Sequence, residues 1–225
     1  MTAALGMIIV VEAVLSSDGS GASDQCRTYG IIRPPSDVVN TDKRESSDGV
    51  WPRSPAATMA RVITLGIDPG TAICGFGVVS LEDGRLRLVD AGCIRTPSDA
   101  GDADRLKQLY DALRGLLDQH RPQRIGVERL FFQRNVQTAM AVGQARGVAL
   151  LAAAEANLPI DEPTPNEVKQ TVCGNGSADK AQVAAMVERL LNVTLAGVPD
   201  DATDALAIAI GCAYRAASEP KAVIG

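Results

Sequence analysis

The pattern of apolar and polar positions divides the chain near Met59. Residues 1–58 are rich in Ser, Gly and Asp and are interrupted repeatedly by Pro. Their one apolar run, 5–11, is too short to span a bilayer. No basic residue precedes this run, so it is a poor secretory signal. The composition predicts that 1–58 is a disordered or non-native N-terminal extension.

Three apolar, β-branched runs follow, over 61–67, 73–80 and 86–95, with turn residues between them. Their succession predicts three antiparallel strands in a meander. Leucines at helical spacing over 106–117 predict a helix that ends at 120–122. A short strand over 124–128, a long helix over 134–156 and an edge strand at 159–161 come next. An amphipathic helix over 183–191 and a last helix starting near Pro199 complete the pattern.

A meander followed by β–α units predicts an α/β domain. We expect a mixed five-stranded sheet, with antiparallel strands first and parallel strands afterwards, and helices on both faces. The pattern places this domain at 59–217 and leaves 218–225 as a C-terminal tail.

Cysteine and histidine usage restricts the chemistry. The five cysteines are odd in number, widely spaced and without a CxxC pair, which favours free thiols in a reducing cytoplasm. The single histidine, His120, excludes a His-rich metal site. Any metal must therefore be held by oxygen, as Mg²⁺ and Mn²⁺ are. We expect His120 to be a cation at the C-terminal end of its helix.

The charge balance does not decide whether the partner is a nucleic acid. The whole chain has a net charge of −5. From Met59 onward, 17 Lys and Arg face 20 Asp and Glu. If four of these acids bind metal, 20 − 4 = 16 acids remain against the 17 bases. Such a balanced surface is compatible with a local basic groove.

Carboxylates recur where predicted elements end or begin. Asp68 ends the first strand and Glu128 ends the fourth, and a mixed sheet can bring these two strands side by side. Asp200, Asp201 and Asp204 stand at the start of the last helix. Spacings of three and four place Asp204 on one helical face with either Asp201 or Asp200. The alternative role for the first two is capping of the helix N-terminus.

Converging carboxylates repel one another, so such a cluster requires cations. Two hard metal ions about 4 Å apart can activate a water and stabilise the leaving oxygen of a phosphodiester. The residues therefore point to metal-dependent phosphodiester hydrolysis.

Several motifs together resemble the RuvC family of bacterial crossover junction endodeoxyribonucleases. The resemblance covers about 59–217 and keeps the family's motif order. The motifs are LGIDPG at 65–70, GCIRT at 92–96, GQARGVA at 143–149, VKQTV at 168–172 and DATDALAIA at 201–209.

The resemblance implies an RNase H-like fold and a homodimer that cuts four-way Holliday junctions in DNA recombination and repair. It implies a Mg²⁺ site, with two ions per active site and Mn²⁺ as a possible substitute. The implied catalytic and metal-binding acids are Asp68, Glu128, Asp201 and Asp204, which leaves Asp200 as a helix cap. Some relatives carry His where this chain has Asp201, so an all-carboxylate site is expected. Association with the RuvA–RuvB branch-migration complex is also implied, and a membrane partner is not.

Basic and aromatic residues are candidate junction contacts. Phe131 matches the family's base-stacking aromatic, whereas Phe132 is equally well a core residue. Lys169 and Lys180 match basic positions near the scissile phosphate. Lys180 could stabilise developing negative charge as a catalytic residue, or it could be a solvated helix lysine. Arg134 is a candidate DNA contact. Arg146 and Lys107 are further candidates that are more simply surface or helix-pair residues, and Ser177 is a candidate cap for the helix after it.

Gly143 and Gly147 lie one turn apart on the predicted 134–156 helix. Glycine lowers helix stability by about 1 kcal/mol relative to Ala, so the pair suggests close approach to the sheet or to a second subunit. A two-fold dimer supplies two active sites for paired nicking. We therefore expect this helix to form the dimer interface.

Two other functions fit parts of the pattern. An actin- or hexokinase-type ATPase uses a similar Asp-x-Gly turn, but a second such hairpin is missing from the sequence. A catalytically silent junction- or RNA-binding module would share the fold. It would gain nothing from four clustered acids.

Overall fold

The structure, a computed structural model, describes residues 61–129 and 136–219 and the backbone of two short strands nearer the N-terminus. The strands are β1 (Val11–Val14), β2 (Arg27–Gly30), β3 (Val62–Asp68), β4 (Ile73–Glu82), β5 (Arg85–Arg95), β6 (Arg124–Val127) and β7 (Ile160–Asp161). The helices are α1 (Asp102–His120), α2 (Val136–Glu155), α3 (Pro165–Cys173), α4 (Lys180–Leu191) and α5 (Asp200–Ser218).

The strands form one mixed sheet in the order β1-β2-β5-β4-β3-β6-β7. The strands β3, β4 and β5 pair antiparallel, whereas β6 pairs parallel with β3 and β7 parallel with β6. These five strands are the predicted meander and the parallel strands after it, so that prediction is confirmed. The strands β1 and β2 extend the sheet beyond β5 and were not predicted. The rest of 1–58 lies outside the described residues, and its role as an extension stays a prediction.

A two-residue turn joins β4 to β5. Glu82 pairs with Arg85 across the hairpin, and Asp83 and Gly84 between them have φ angles of 49° and 75°. Two positive φ values in a two-residue loop match the twist of antiparallel strands, and Asp-Gly is a favoured sequence there. The Asp83-Gly84 turn signal therefore sets the register of the meander.

Helices cover both faces of the sheet. Leu65 and Ile67 of β3 are fully buried against α1 and α2 on one face. The opposite face packs against α5, with α3 and α4 completing a second core. Because side chains alternate along a strand, Gly66 points at α5. The prediction of helices on both faces is confirmed.

The helix α5 lies directly on the sheet because glycines line the strands beneath it. A Cβ atom at Gly66 would overlap the main-chain carbonyl of Ala205, and one at Gly75 would overlap that of Asp201. Such a close approach is possible only without side chains. The position of α5 along the strands is therefore tightly restricted.

Two helices differ from their predictions. The helix α3 was not predicted, although Thr164 and Glu167 form a capping box at its start and Pro165 follows the cap. In α2, Gly147, for which close approach to the sheet or to a second subunit was considered, is not on the face turned to the core. Ala145 and Ala149 are fully buried, whereas Met140, Gly147 and Leu151 are exposed.

The histidine has a more specific contact than predicted. His120 is the last residue of α1, as expected, but its Nε2 lies 2.9 Å from Oδ2 of the buried Asp90 on β5. It therefore ties α1 to the sheet. None of the helices among the described residues has the length and apolarity that a bilayer span requires.

Candidate active site

Asp68 and Glu128 lie at the same edge of the sheet because β3 and β6 run parallel. Asp68 is the last residue of β3, and Glu128 immediately follows β6. The Glu128 backbone N–H donates to the Ile67 carbonyl at 3.2 Å. The two carboxylates therefore leave neighbouring strands at adjacent positions, as the strand pattern predicted.

The first turn of α5 lies at the same edge. Gly75 pairs with Asp68 across β3 and β4, and it also lies against the backbone of Asp201. Asp201 and Asp204 are both partly buried. Thr203, between them, is buried at 8% exposure. The glycine contact thus brings the helix acids toward the strand acids.

Asp200 does not cap α5. It is the first helical residue and is exposed, the N-cap position is Pro199, and no side chain makes a capping hydrogen bond there. The expectation for Asp200 was therefore wrong. Its negative charge in the first turn still favours the positive end of the helix dipole.

Asp68 has the most perturbed carboxyl group of the described residues. Its pKa is raised from 3.8 to about 7, first by burial and then by the negative charges of Glu128, Asp204 and Asp201. Lys180 partly opposes this effect. Each of the other three acids therefore lies within electrostatic range of Asp68. Their convergence on a shared metal site stays a prediction.

Glu128 shares this environment. Burial and the charge of Asp204 raise the pKa of its carboxyl, whereas Lys180 and Lys169 lower it. A cleft of about 310 Å³ is lined by these same side chains, namely Glu128, Asp204, Lys169 and Lys180, and by apolar residues of α3, α4 and α5. Both predicted lysines therefore face the carboxylates.

Lys180 is the first residue of α4, where a positive charge opposes the helix dipole. Its Nζ lies 3.3 Å from Oδ2 of Asp204. The charge of Asp204, that hydrogen bond and the charges of Asp200 and Asp68 raise the pKa of Lys180. The ammonium group thus stays protonated beside the acids. Lys180 therefore pairs with Asp204, while its side chain is 73% exposed, and its catalytic role stays a prediction.

The residue before Lys180 fixes the start of α4. Asp179 accepts a hydrogen bond from the Gln182 N–H at 2.8 Å, and the Gln182 side chain bonds back to the Asp179 N–H. This capping box holds the first turn. Ser177, the predicted cap, is not the capping residue. Asp179 was missed in the sequence analysis, although its spacing to Gln182 is the signal of such a box.

The donor set suits a hard cation. Within 61–129 and 136–219, no three His, Cys, Asp or Glu side chains are close enough to share one ion. Magnesium, however, commonly takes one or two carboxylates, several waters and substrate phosphates. A buried carboxyl group whose pKa is raised to about 7 by burial and by neighbouring acids is stabilised by such a cation. The residues present therefore fit a magnesium-type site.

The remaining candidate DNA contacts differ in outcome. Phe131, Phe132 and Arg134 lie outside the described residues. Lys107 pairs with Asp111 one turn away at 2.7 Å, so it is a helix-surface residue. Arg146 pairs with Glu162 and donates from Nε to the Glu128 carbonyl at 3.2 Å. Arg146 therefore holds the backbone of Glu128, a role that the sequence analysis missed.

Comparison with known proteins gives a consistent result. The family described as Crossover junction endodeoxyribonuclease RuvC matches residues 64–212. A protein of that name from Chloroflexus aurantiacus is 53% identical over 152 residues, which are 68% of this chain and 93% of the relative.

Solved structures agree with that match. The structure of Thermus thermophilus RuvC has a TM-score of 0.65 and 35% identity and covers 69% of this chain and 96% of its own. The T. thermophilus RuvC in complex with Holliday junction substrate matches with the same score and identity, over 69% of this chain and 94% of its own.

Proposed function

Because this chain belongs to the RuvC family of crossover junction endodeoxyribonucleases, we propose that it resolves four-way DNA junctions by paired hydrolysis of phosphodiester bonds. The observation that supports this most directly is geometric: Asp68 and Glu128 lie at the ends of neighbouring parallel strands at one edge of the sheet, and the backbone of Asp201 packs on Gly75, the strand partner of Asp68. The junction itself is the substrate in a related solved complex, that of T. thermophilus RuvC.

In this proposal the four acids Asp68, Glu128, Asp201 and Asp204 hold Mg²⁺, with two ions per site and Mn²⁺ as a substitute. When bound, such ions lower the pKa of a water and stabilise charge on the phosphate oxygens. Asp68 and Glu128 offer carboxylates from the sheet edge, and Asp201 and Asp204 offer them from α5. Their fixed positions orient the scissile phosphate in the cleft.

Lys180 supplies positive charge to the cleft that it lines together with Glu128 and Asp204. Its ammonium group is held near Asp204 and can donate to a phosphate oxygen that gains charge during bond cleavage. Lys169 lines the same cleft and lowers the pKa of Glu128. We propose that Lys169 positions the phosphate backbone, and that Phe131 and Arg134 contact the bases and phosphates near the cut.

The decisive test is cleavage of a synthetic four-way junction. We expect Mg²⁺-dependent nicking by the wild-type protein. Asp68→Asn, Glu128→Gln, Asp201→Asn and Asp204→Asn should each reduce it by at least about a thousandfold, or 4 kcal/mol. Junction binding should persist, because each amide keeps the size of the side chain and removes one negative charge. Cleavage is measured on gels and binding by fluorescence anisotropy.

Asp200→Asn is the matched control, since it removes the neighbouring exposed acid of the same helix turn. It should cut at nearly the wild-type rate. A near-normal rate in any one of the four amide variants would remove that residue from the metal-binding set. ATP hydrolysis without junction cutting would instead favour the sugar-kinase type of activity, and binding without any cutting would favour a silent module.

A homodimer is the proposed assembly, with α2 at its interface. The exposed fractions of Met140 and Leu151 are 63% and 53%, and both lie on one stripe of α2. Gly147 lies on that stripe too, and no described residue lies within 4 Å of a Cβ added there. Gly147 therefore does not approach the sheet, which leaves a second subunit as the partner considered for it. An exposed apolar stripe of this kind suits burial against a second copy.

Two further elements of the proposal rest on family membership. We propose association with the RuvA–RuvB branch-migration complex, which co-purification on junction DNA can test. We also propose a reducing cytoplasm as the setting. The cysteines at 74, 93, 173 and 212 are free thiols, which agrees with that setting.

A further inference from the structure

We infer that Arg146 is a positioning residue for Glu128: it holds the Glu128 backbone and thereby aligns the Glu128 carboxylate for metal binding. The inference rests on the proposed function, since it concerns the geometry of the same site. It departs from the role first considered for Arg146, which was contact with a DNA phosphate.

The peptide that follows Glu128 is held at both ends. The Glu128 carbonyl accepts a hydrogen bond from Nε of Arg146 at 3.2 Å, and the Arg129 N–H donates to the Pro163 carbonyl at 2.8 Å. The pairing of β6 with β3 stops at Val127, so the sheet ladder does not supply these bonds. Arg146 therefore fixes the backbone of Glu128, the residue that follows the last residue of β6.

The guanidinium group is itself held in place. Arg146 also donates to the carboxylate of Glu162, and its side chain is only 20% exposed. Ala145 and Ala149 beside it are fully buried, which anchors this part of α2 to the sheet. Because Glu162 neutralises the charge of Arg146, this arginine is poorly suited to a free phosphate contact.

The contact needs a fork of N–H groups. Arginine can bond the Glu128 carbonyl and the Glu162 carboxylate simultaneously through different nitrogens, whereas lysine presents one compact ammonium group. Arg146→Lys keeps the charge and removes the bridge. Outer residues that orient metal ligands commonly contribute 10- to 100-fold to activity or metal affinity.

The first experiment compares wild type with Arg146→Lys at saturating junction. We expect the cutting rate to fall about 10- to 100-fold and the half-saturating Mg²⁺ concentration to rise. Junction affinity measured in Ca²⁺ should not change. Glu162→Gln should act in the same direction but less strongly, and the double variant should lose less than the product of the two single effects, because both act through one bridge.

Arg114→Lys is the matched control. Like Arg146, Arg114 pairs with a glutamate, in this case Glu155 at 2.8 Å. Arg114 does not line the cleft. This variant should cut at the wild-type rate. If Arg146→Lys cuts normally, or weakens junction binding at an unchanged saturated rate, the positioning role is wrong. The latter result would assign a phosphate contact instead.

A second readout does not depend on cutting. Binding of Mg²⁺ should raise the melting temperature of the wild-type protein, and the rise should be smaller for Arg146→Lys but unchanged for Arg114→Lys. An equal rise in Arg146→Lys would overturn the inference even if the protein cut no junction. Failure of wild-type cutting alone would overturn the proposed function and leave this comparison decisive for Arg146.

Discussion

The residue with the largest consequence is Asp68. Its pKa of about 7 in the folded protein compares with about 3.9 in an unfolded chain. Between these two values the unfolded state loses its proton while the folded state keeps it. Stability therefore falls as the pH rises from about 4 to about 7, and it falls no further above that range because both states are then ionised.

Asp68→Asn removes this ionisation and should therefore change the pH dependence of stability. In metal-free buffer, the variant should gain about 1–3 kcal/mol relative to wild type between pH 4 and pH 8, after allowance for solvent screening. Thermal unfolding in EDTA across that pH range measures the difference. Asp111→Asn, at an exposed helix position, is the control and should show no comparable trend. A difference between Asp68→Asn and wild type that does not vary with pH would contradict the raised pKa.

At the level of single residues, the sequence predicted the four acids but not the residues that hold the backbone around the site. Spacing could not choose between Asp200 and Asp201, because separations of three and four residues both place a pair on one helical face. The resemblance to the family indicated Asp201, and in the structure Asp201 is partly buried whereas Asp200 is exposed. Arg146 acts through the backbone carbonyl of a residue distant in sequence, so side-chain periodicity gave no sign of it. For Asp179, the spacing to Gln182 was an available signal that was not used.

Among the elements, α5 determines the geometry of the site, because two of the four acids are on it. Its position depends on the strand glycines, chiefly Gly75 beneath Asp201. The strands and the helix were predictable from apolar periodicity. Their close contact was not, because a glycine in a strand shows no hydrophobic signal.

Gly75→Ala should push the first turn of α5 away from the sheet. We expect a loss of about 1–3 kcal/mol of stability and at least a tenfold lower cutting rate. Gly115→Ala is the control, because that exposed position of α1 has nothing within 4 Å of an added Cβ. It should add up to about 1 kcal/mol of stability and cut normally. Chemical denaturation and single-turnover cleavage measure both effects, and normal cutting by Gly75→Ala would show that the contact does not position the acids.

The unpredicted helix α3 shows a different limit. It has nine residues and two buried apolar side chains, Val168 and Val172, which is too few for a periodic pattern. The capping box of Thr164 and Glu167 was its available signal. Because α3 presents Lys169 to the cleft, the missed element is one wall of the site.

On the scale of the whole molecule, the expected assembly depends on the exposed stripe of α2. The two large hydrophobic residues exposed in the described part of the chain, Met140 and Leu151, both belong to it. The sequence showed the Gly143 and Gly147 pair on this helix but could not tell whether the sheet or a second subunit approaches it, since both leave the same pattern.

Leu151→Glu should weaken the proposed dimer, because it would place a charge in an apolar interface. We expect the dissociation constant to rise by about 30-fold, equivalent to 2 kcal/mol. Sedimentation velocity over a concentration series measures this shift. Gln119→Glu adds the same charge at an exposed position of α1 and should leave the dimer intact. An unchanged sedimentation profile for Leu151→Glu would place the interface on another surface.

The strand glycines beneath α5 also restrict how this enzyme can be made more heat-resistant. Exchanging glycine for alanine is a common route to stability. It lowers the conformational entropy of the unfolded chain and so stabilises the folded protein by about 0.4–1 kcal/mol. At Gly66, Gly75, Gly77 and Gly126 that route is closed, since each added methyl group would meet α5 or its side chains. Substitutions that raise thermal stability must therefore be sought at other positions. The entropy that these glycines give the unfolded chain is the cost of a sheet on which α5 can lie close enough to bring Asp201 toward Asp68.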